Sequence, residues 1–300
     1  MELISALPGA VAQGLVWGIM AIGVYITYKI LDIADLTVDG SICTGAVVCT
    51  MLMVNGVPVW VALIAATLSG ILAGMVTGAL HIFLGIPAIL SGILTQLVLW
   101  SVNLKILGKA NQPLSARNYK VLITQMHVPA SIAILIACSV VLVAVLYFFF
   151  GTELGASIRA TGINPAMSRA QGINTDVTKL IGLALSNGIV ALSGALLCQY
   201  QGYADINMGK GAVVIGLAAV VIGEAVISKL PPNFAIRLTG VIVGAVIYYI
   251  VYQVIIFFGL DTDLLKMLSA VVVAVFLGVP YVKKKLSSLR SIQKGGNANA

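Results

Sequence analysis

Charge is the scarcest property of this sequence. Charged side chains make up 9% of its 300 residues, and the apolar set fills 60%. Soluble globular domains carry roughly 25% charged residues. With a mean hydropathy of +1.08, the chain reads as an integral membrane protein. Its apolar runs are continuous over about 20 residues rather than alternating, which fits helices and excludes a β-barrel. Catalytic patterns are missing too. There is no H-E-x-x-H and no Ser/His/Asp set, and His81 and His127 stand isolated near span ends. The four cysteines (Cys43, Cys49, Cys138 and Cys198) fit no metal spacing and read as small apolar residues. No G-x-x-x-x-G-K-[ST] phosphate loop occurs. The Gly-Lys pairs at 108–109 and 209–210 lack both the upstream glycine and the following Ser/Thr. No catalytic residue, metal or cofactor is therefore expected in this chain. A cleavable signal peptide is not expected either, because Glu2 is the first charge and no basic region precedes the first apolar run.

What the sequence does contain is hydrophobic segments. They lie at 8–30, 38–55, 58–81, 86–105, 129–150, 178–202, 209–228, 234–257 and 262–280. The expected fold is all-α: a polytopic transmembrane bundle of about nine segments, with eight to ten as the range. Segments two and seven are short and glycine-interrupted, which marks them as broken or re-entrant helices. Gly70, Gly74 and Gly78 form a small-xxx-small ladder suited to close helix packing. Residues 1–282 read as one transmembrane domain, and 283–300 as a basic, disordered cytoplasmic tail.

Basic residues set the orientation. With the tail inside, nine spans place the amino terminus outside. The inner face then collects 11 cations: Lys29, Arg159, Arg169, Lys179, Lys229, Arg237 and the tail residues Lys283, Lys284, Lys285, Arg290 and Lys294. The outer face collects 6, namely Lys105, Lys109, Arg117, Lys120, Lys210 and Lys266. The outer loop 106–128 is discordant, with three cations and no acid. The net charge of +7 sits at span ends and in the tail. It is a membrane-surface pattern and not a nucleic-acid footprint.

One inner stretch, GTELGASIRATGINPAMSRAQGINTD (151–176), is too long for a simple connector. Asn164 can cap a helix, Pro165 suits its first position, and Gly172 suits its stop. A short helix over 165–171 between glycine hinges is expected, in a cytoplasmic loop spanning 151–178. Such a loop reads as a docking surface. Its Gly155, Arg159, Ala160, Gly162, Asn164, Pro165, Ala170, Gly172 and Ile173 resemble the coupling loop of ABC importer permeases of the branched-chain amino acid, ribose and nucleoside class. More narrowly, the chain resembles permeases paired with tryptophan/tyrosine-type solute-binding lipoproteins. The resemblance covers most of the chain, including ILDIADLTVDGSICTGA and GKGAVVIGLAAVVIGEAVI. It implies a permease in the bacterial inner membrane, assembled with a second permease chain as a homodimer. It also implies ABC ATPase subunits docking on the 164–172 helix, with ATP and Mg held by those subunits, and an external solute-binding protein. Arg169 would join the coupling residues.

Two pentads share a pattern: Ala34-Asp35-Leu36-Thr37-Val38 and Ala204-Asp205-Ile206-Asn207-Met208. The first maps to the inner face and the second to the outer face, as an inverted repeat would. Each leads through glycines into a short span. A helix starting inside the membrane offers unpaired amides and a positive dipole end. Asp35, Thr37, Asp39, Gly40, Ser41, Asp205, Asn207, Gly209 and Gly211 are thus candidates for the translocation path. The bland reading makes the carboxylates turn residues and caps. Glu224 reads as structural, with Lys229 as one partner. Gln96 and Asn103 read as helix-bonding or substrate-meeting amides, and Trp100 as part of an interfacial belt. Helix dipoles and scarce charge suit a small neutral or zwitterionic solute such as an amino acid; the resemblance implies an aromatic one and leaves sugars and nucleosides as alternatives. An ion-coupled secondary transporter is the alternative mechanism.

Overall fold

A computed structural model describes residues 2–228 and 233–257, with isolated positions between 267 and 278. The ninth apolar segment and the basic tail lie outside the described residues, as does Lys229. The helices in chain order are α1 (Glu2–Tyr25), α2 (Val38–Val54), α3 (Val59–Phe83), α4 (Ala88–Leu107), α5 (Val128–Gly151), α6 (Glu153–Ile163), α7 (Pro165–Ala170), α8 (Thr175–Gln201), α9 (Ala212–Ile227) and α10 (Phe234–Phe257). Six described helical stretches are long and apolar enough to cross a membrane. Two apolar helices, α2 and α9, are shorter.

The buried pair is α1 and α8. Their hydrophobic windows are 83% and 78% buried, against 22% for α4 and α5. α3, α4, α5 and α10 keep broad outward apolar faces, as a lipid-facing surface requires, whereas the short α2 is also largely buried. The glycine ladder performs the role its spacing predicts. A Cβ on Gly70 would meet the backbone of Asn187, and one on Gly74 the backbone of Leu183. α3 thus lies directly on α8. Gly45 and Gly194 bring α2 against α8 in the same way, at the backbones of Ala191 and Ile42. In lipid, where burial of oil gives helices little drive to associate, such backbone approach supplies the packing.

α1 ends in a π-helical turn, Ile26–Ile30, and the chain then reverses at Leu31 and Asp32, the latter with φ 54°. The return exposes Asp32 and Ala34 but buries Ile33 and Asp35 before α2 begins. Asp35 bonds to Asn187, near the middle of the 27-residue α8. From there α2 runs toward the C-terminal end of α8, where the Gln199 amide donates to Cys49 Sγ at 3.6 Å. The expectation that the first pentad sits at the inner face is corrected: it lies at mid-depth. The second pentad follows the end of α8 and reaches back to α2, where the carbonyls of Asp205 and Ile206 accept from the Cys43 thiol at 3.5 and 3.4 Å. α9 then starts beside Asp39 and runs along α1 to an ion pair, Lys29 Nζ–Glu224 Oε1 at 3.0 Å. Glu224 pairs with Lys29, while the expected partner Lys229 lies outside the described residues. Two half-length helices thus begin together at mid-depth and leave in opposite directions.

The all-α expectation needs one addition. Asn111–Pro113 and Tyr203–Asp205 pair as two short antiparallel strands, Asn111 opposite Asp205. The discordant loop after α4 is pinned there. Leu122 N–H donates to Gln199 Oε1 at 3.0 Å, and Leu114 and Ile123 are fully buried.

Candidate transport site and coupling segment

The two pentads share a local geometry. Asp35 Oδ1 accepts the N–H of Thr37 at 2.8 Å, and Asp205 Oδ1 accepts the N–H of Asn207 at 2.7 Å. In each, an aspartate holds the amide two residues on and turns the chain toward a short helix. Beyond that point the two differ. Asp35 is buried, and its Oδ2 takes the Asn187 Nδ2–H at 2.7 Å. Ser41 donates to Asn187 Oδ1 at 2.6 Å, and the hydroxyls of Thr37 and Thr77 lie 2.7 Å apart. This network ties α2, α3 and α8 together. It buries Asp35, Thr37 and Ser41 between these helices.

Asp39 has a different position. Gly211, the N-cap of α9, has no side chain to cap it. Asp39 supplies the cap from α2, accepting the N–H groups of Gly211 and Val213, each at 2.9 Å. Its carboxylate thereby sits between two helix N-termini, where both dipoles favour negative charge. Gly209 packs on the carbonyl of Asp39, an approach only a glycine permits, and Gly211 adopts φ +88°. Asn207 is exposed on the connecting turn.

Asp39 and Gly40 border a cavity of about 270 Å³. Its other walls are Cys43, Gln96, Leu97, Trp100, Asn103, Ile206 and Lys210. Of the nine path candidates, only Asp39 and Gly40 line it. The α4 wall is anticipated only in part, since the sequence leaves Gln96 and Asn103 between helix bonding and substrate contact. Its signal was present: Gln96, Trp100 and Asn103 recur at i, i+4 and i+7 on one helix face. Trp100 was assigned to a belt instead, and only the fold shows that α4 lies across the start of α2.

The polar segment 151–176 folds into more helix than expected. α6 precedes the expected short helix and is capped by Thr152, whose hydroxyl accepts Gly155 N–H at 3.3 Å. α7 starts at Pro165 under Asn164, whose Oδ1 accepts Met167 N–H at 3.0 Å. Gly172 turns the chain out at φ +81°. Gly162 is not a hinge. It lies within α6, where a Cβ would strike the carbonyl of Ile30, so α6 is pressed onto the end of the first span. Gly155 is likewise packed, against Phe150. Arg159 borders a cleft of about 370 Å³ with Tyr25, Lys29, Ile163 and Arg237. Arg169 Nε donates to Thr175 Oγ1 at 2.9 Å, which braces α7 against α8. Ala160 and Ile173 are half-buried and Ala170 is exposed. Ile163 and Met167, which sequence reading passed over, are 85% and 59% exposed. The segment thus offers solvent two large apolar side chains four residues apart.

Comparison with known proteins agrees with this architecture. The family described as the branched-chain amino acid transport system/permease component matches residues 7–279. A tyrosine transport system permease protein of Clostridioides difficile (strain R20291) is 39% identical, over 91% of this chain and 90% of its own length. An uncharacterized protein of Rickettsia prowazekii (strain Madrid E) is 30% identical over 92% of this chain and 97% of its own. A fructose import permease protein of Bifidobacterium longum (strain NCC 2705) is 27% identical, over 80% and 68%. No solved structure matches. A helical membrane chain, half-length helices meeting at mid-depth and a match over nearly its whole length lead to one conclusion: this protein belongs to the branched-chain amino acid permease family and is the transmembrane permease subunit of a bacterial ABC importer.

Proposed function

We propose that this chain carries an amino acid, aromatic by preference, inward across the plasma membrane, driven by ATPase subunits that dock on α6 and α7. The tyrosine transport permease, similar over nine-tenths of both chains, supports the substrate class. The observation that carries the docking reading is the capped segment with Ile163 and Met167 turned outward. Exposed apolar side chains at the polar end of a membrane protein mark a partner surface. Gly162 supports the mechanical side, because α6 rests on the end of α1 without an intervening side chain. A push on α7 would reach α1 and, through Lys29–Glu224, the end of α9. The assembly would be two such permease chains, two ATPase subunits and an external solute-binding protein. The carboxyl terminus would be cytoplasmic and the amino terminus outside. ATP and Mg would sit on the ATPase, and membrane lipid would surround the outward helix faces.

The test is co-purification of this chain with ABC ATPase subunits from its own host. Met167→Asp and Ile163→Asp replace exposed side chains, so insertion and melting temperature should match the wild type. ATPase retention and ATP-driven uptake should fall at least tenfold, since placing a charge in an apolar contact leaves it unpaired. Arg169→Glu adds loss of the Thr175 bond and should be at least as severe. Undiminished ATPase retention and uptake in all three would remove α7 as the docking element. Uptake driven by an ion gradient without ATP would replace the whole mechanism with secondary transport.

A further inference from the structure

The cavity beside Asp39 contains polar atoms without partners. Asn103 is 1% exposed, and neither its amide nitrogen nor its oxygen has a hydrogen-bond partner. The Cys43 thiol lies within bonding reach of Asn103 but donates to the carbonyls of Asp205 and Ile206 at 3.5 and 3.4 Å, so only its sulfur, a weak acceptor, is left for the amide. A buried amide left in this state is costly, and such a group needs an explanation in function or in a missing partner. The rest of the lining says what that partner is. Asp39 presents a carboxylate and Lys210 an ammonium to the same space. They form no ion pair with each other; among the described residues the one ion pair is Lys29–Glu224. Trp100 stands at the rim, 41% exposed, next to Leu97. One anion, one cation, one unspent amide and one aromatic face complement a zwitterion bearing a ring. A sugar would call for several hydroxyl partners and no separated charges. The volume is just below the range of small-molecule pockets, roughly 300–1,000 Å³, and fits a ligand the size of one amino acid.

We propose that this cavity is a recognition subsite for a zwitterionic aromatic amino acid on its way through the permease. Lys210 takes the ligand's carboxylate, Asp39 its ammonium, Trp100 its ring, and Asn103 pairs with a polar group of the ligand. Asp39 then has two roles, as the cap of α9 and as a substrate contact, so occupancy is felt where the half-length helices meet. The proposal rests on the aromatic amino acid reading of function.

The experiment uses the complete transporter in proteoliposomes, with ATP on the ATPase side and L-tyrosine as the probe. The external binding protein sets the KM of such a system, so the informative readout is tyrosine moved per ATP hydrolysed. Asn103→Leu removes an unpaired buried amide, so its melting temperature should equal or exceed that of the wild type. Lys210→Gln alters an exposed residue and should not affect folding. Both variants should keep the ATPase stimulation given by liganded binding protein, and both should lose at least tenfold in tyrosine moved per ATP. Unchanged stoichiometry in both variants overturns the subsite and leaves the function standing. Loss of ATPase stimulation and melting temperature together with uptake makes these residues structural, and also overturns it. A wild-type transporter that moves none of tyrosine, phenylalanine or tryptophan overturns the aromatic reading itself, and the subsite with it.

Discussion

Gly194→Leu is expected to yield no folded permease. α2 and α8 touch backbone to backbone at two reciprocal points. A side chain on Gly194 would enter the space of the Ile42 carbonyl, and one on Gly45 that of the Ala191 backbone. α8 is also held against α3 through Gly70 and Gly74 and against α1 through Gly23, which limits its freedom to retreat. Inserting even extra methylenes into a packed core costs about 1–3 kcal/mol. Whole domains have about 5–15 kcal/mol to lose, and a leucine at a helix-backbone contact demands far more room than a methylene. The monodisperse fraction in size-exclusion chromatography should collapse for Gly194→Leu and for Gly45→Leu. Gly151→Leu should elute like the wild type, since nothing lies within 4 Å of the site of its Cβ. Equal elution and melting of Gly194→Leu and wild type would mean that α2 does not lie on α8 as described.

Asp35→Leu should be the next most damaging change, and its cause is polar. The Thr37 N–H and one Asn187 N–H would lose their acceptor in a buried site. Each buried donor left unsatisfied costs about 1–3 kcal/mol, so the two together imply a loss of about 2–6 kcal/mol. Asp35→Leu combined with Asn187→Leu should cost less than the sum of the single changes, because replacing both partners by apolar groups can approach neutrality. Thermal melting in detergent measures this coupling. A single Asp35→Leu variant within about 0.5 kcal/mol of wild type, the usual range for a surface change, would show that the network does not hold α2, α3 and α8 together. The two changes also differ in kind. Gly194→Leu prevents approach of the helices, whereas Asp35→Leu permits approach but removes what fixes their register.

These sites show how far local sequence reaches. The existence of the helices was legible from apolar runs and scarce charge, because lipid forces each span to satisfy its own backbone. Caps were legible for the same reason of locality. Asn164, Pro165 and Gly172 act within a few residues of their own positions, and α7 formed where they placed it. The repeated Ala-Asp pentads correctly signalled two chain breaks before short helices. They were silent on depth. Whether Asp35 meets water or Asn187 depends on a residue 152 positions away.

The candidate site was legible only in part, because its walls come from three separated regions of the chain. Asp39 was named for starting a helix. Its use as the cap of α9 required Gly211, 172 residues later, to be brought to it. Gln96, Trp100 and Asn103 stood on one face of α4, yet an apolar helix with a polar stripe can line a cavity, meet a partner helix or face the interface. Gly162 was read as a hinge because glycine is flexible in isolation. In the folded chain it is the point where α6 lies against Ile30, and there its missing side chain serves contact instead of bending.

By itself the sequence determined that this chain is a helical membrane protein, where its long apolar helices lie, and that no phosphate-loop motif occurs in it. These properties follow from solvent, hydrogen bonding and motif chemistry acting over a few residues. Tertiary structure decided the rest. It buried Asp35 and left Asp39 at a cavity, and it paired Glu224 with Lys29. It also set Asn103, with no partner of its own, opposite two unpaired charges. The physical reason is that a charge or an amide takes its role from what packs against it, and in this bundle those neighbours lie on helices far apart in the chain.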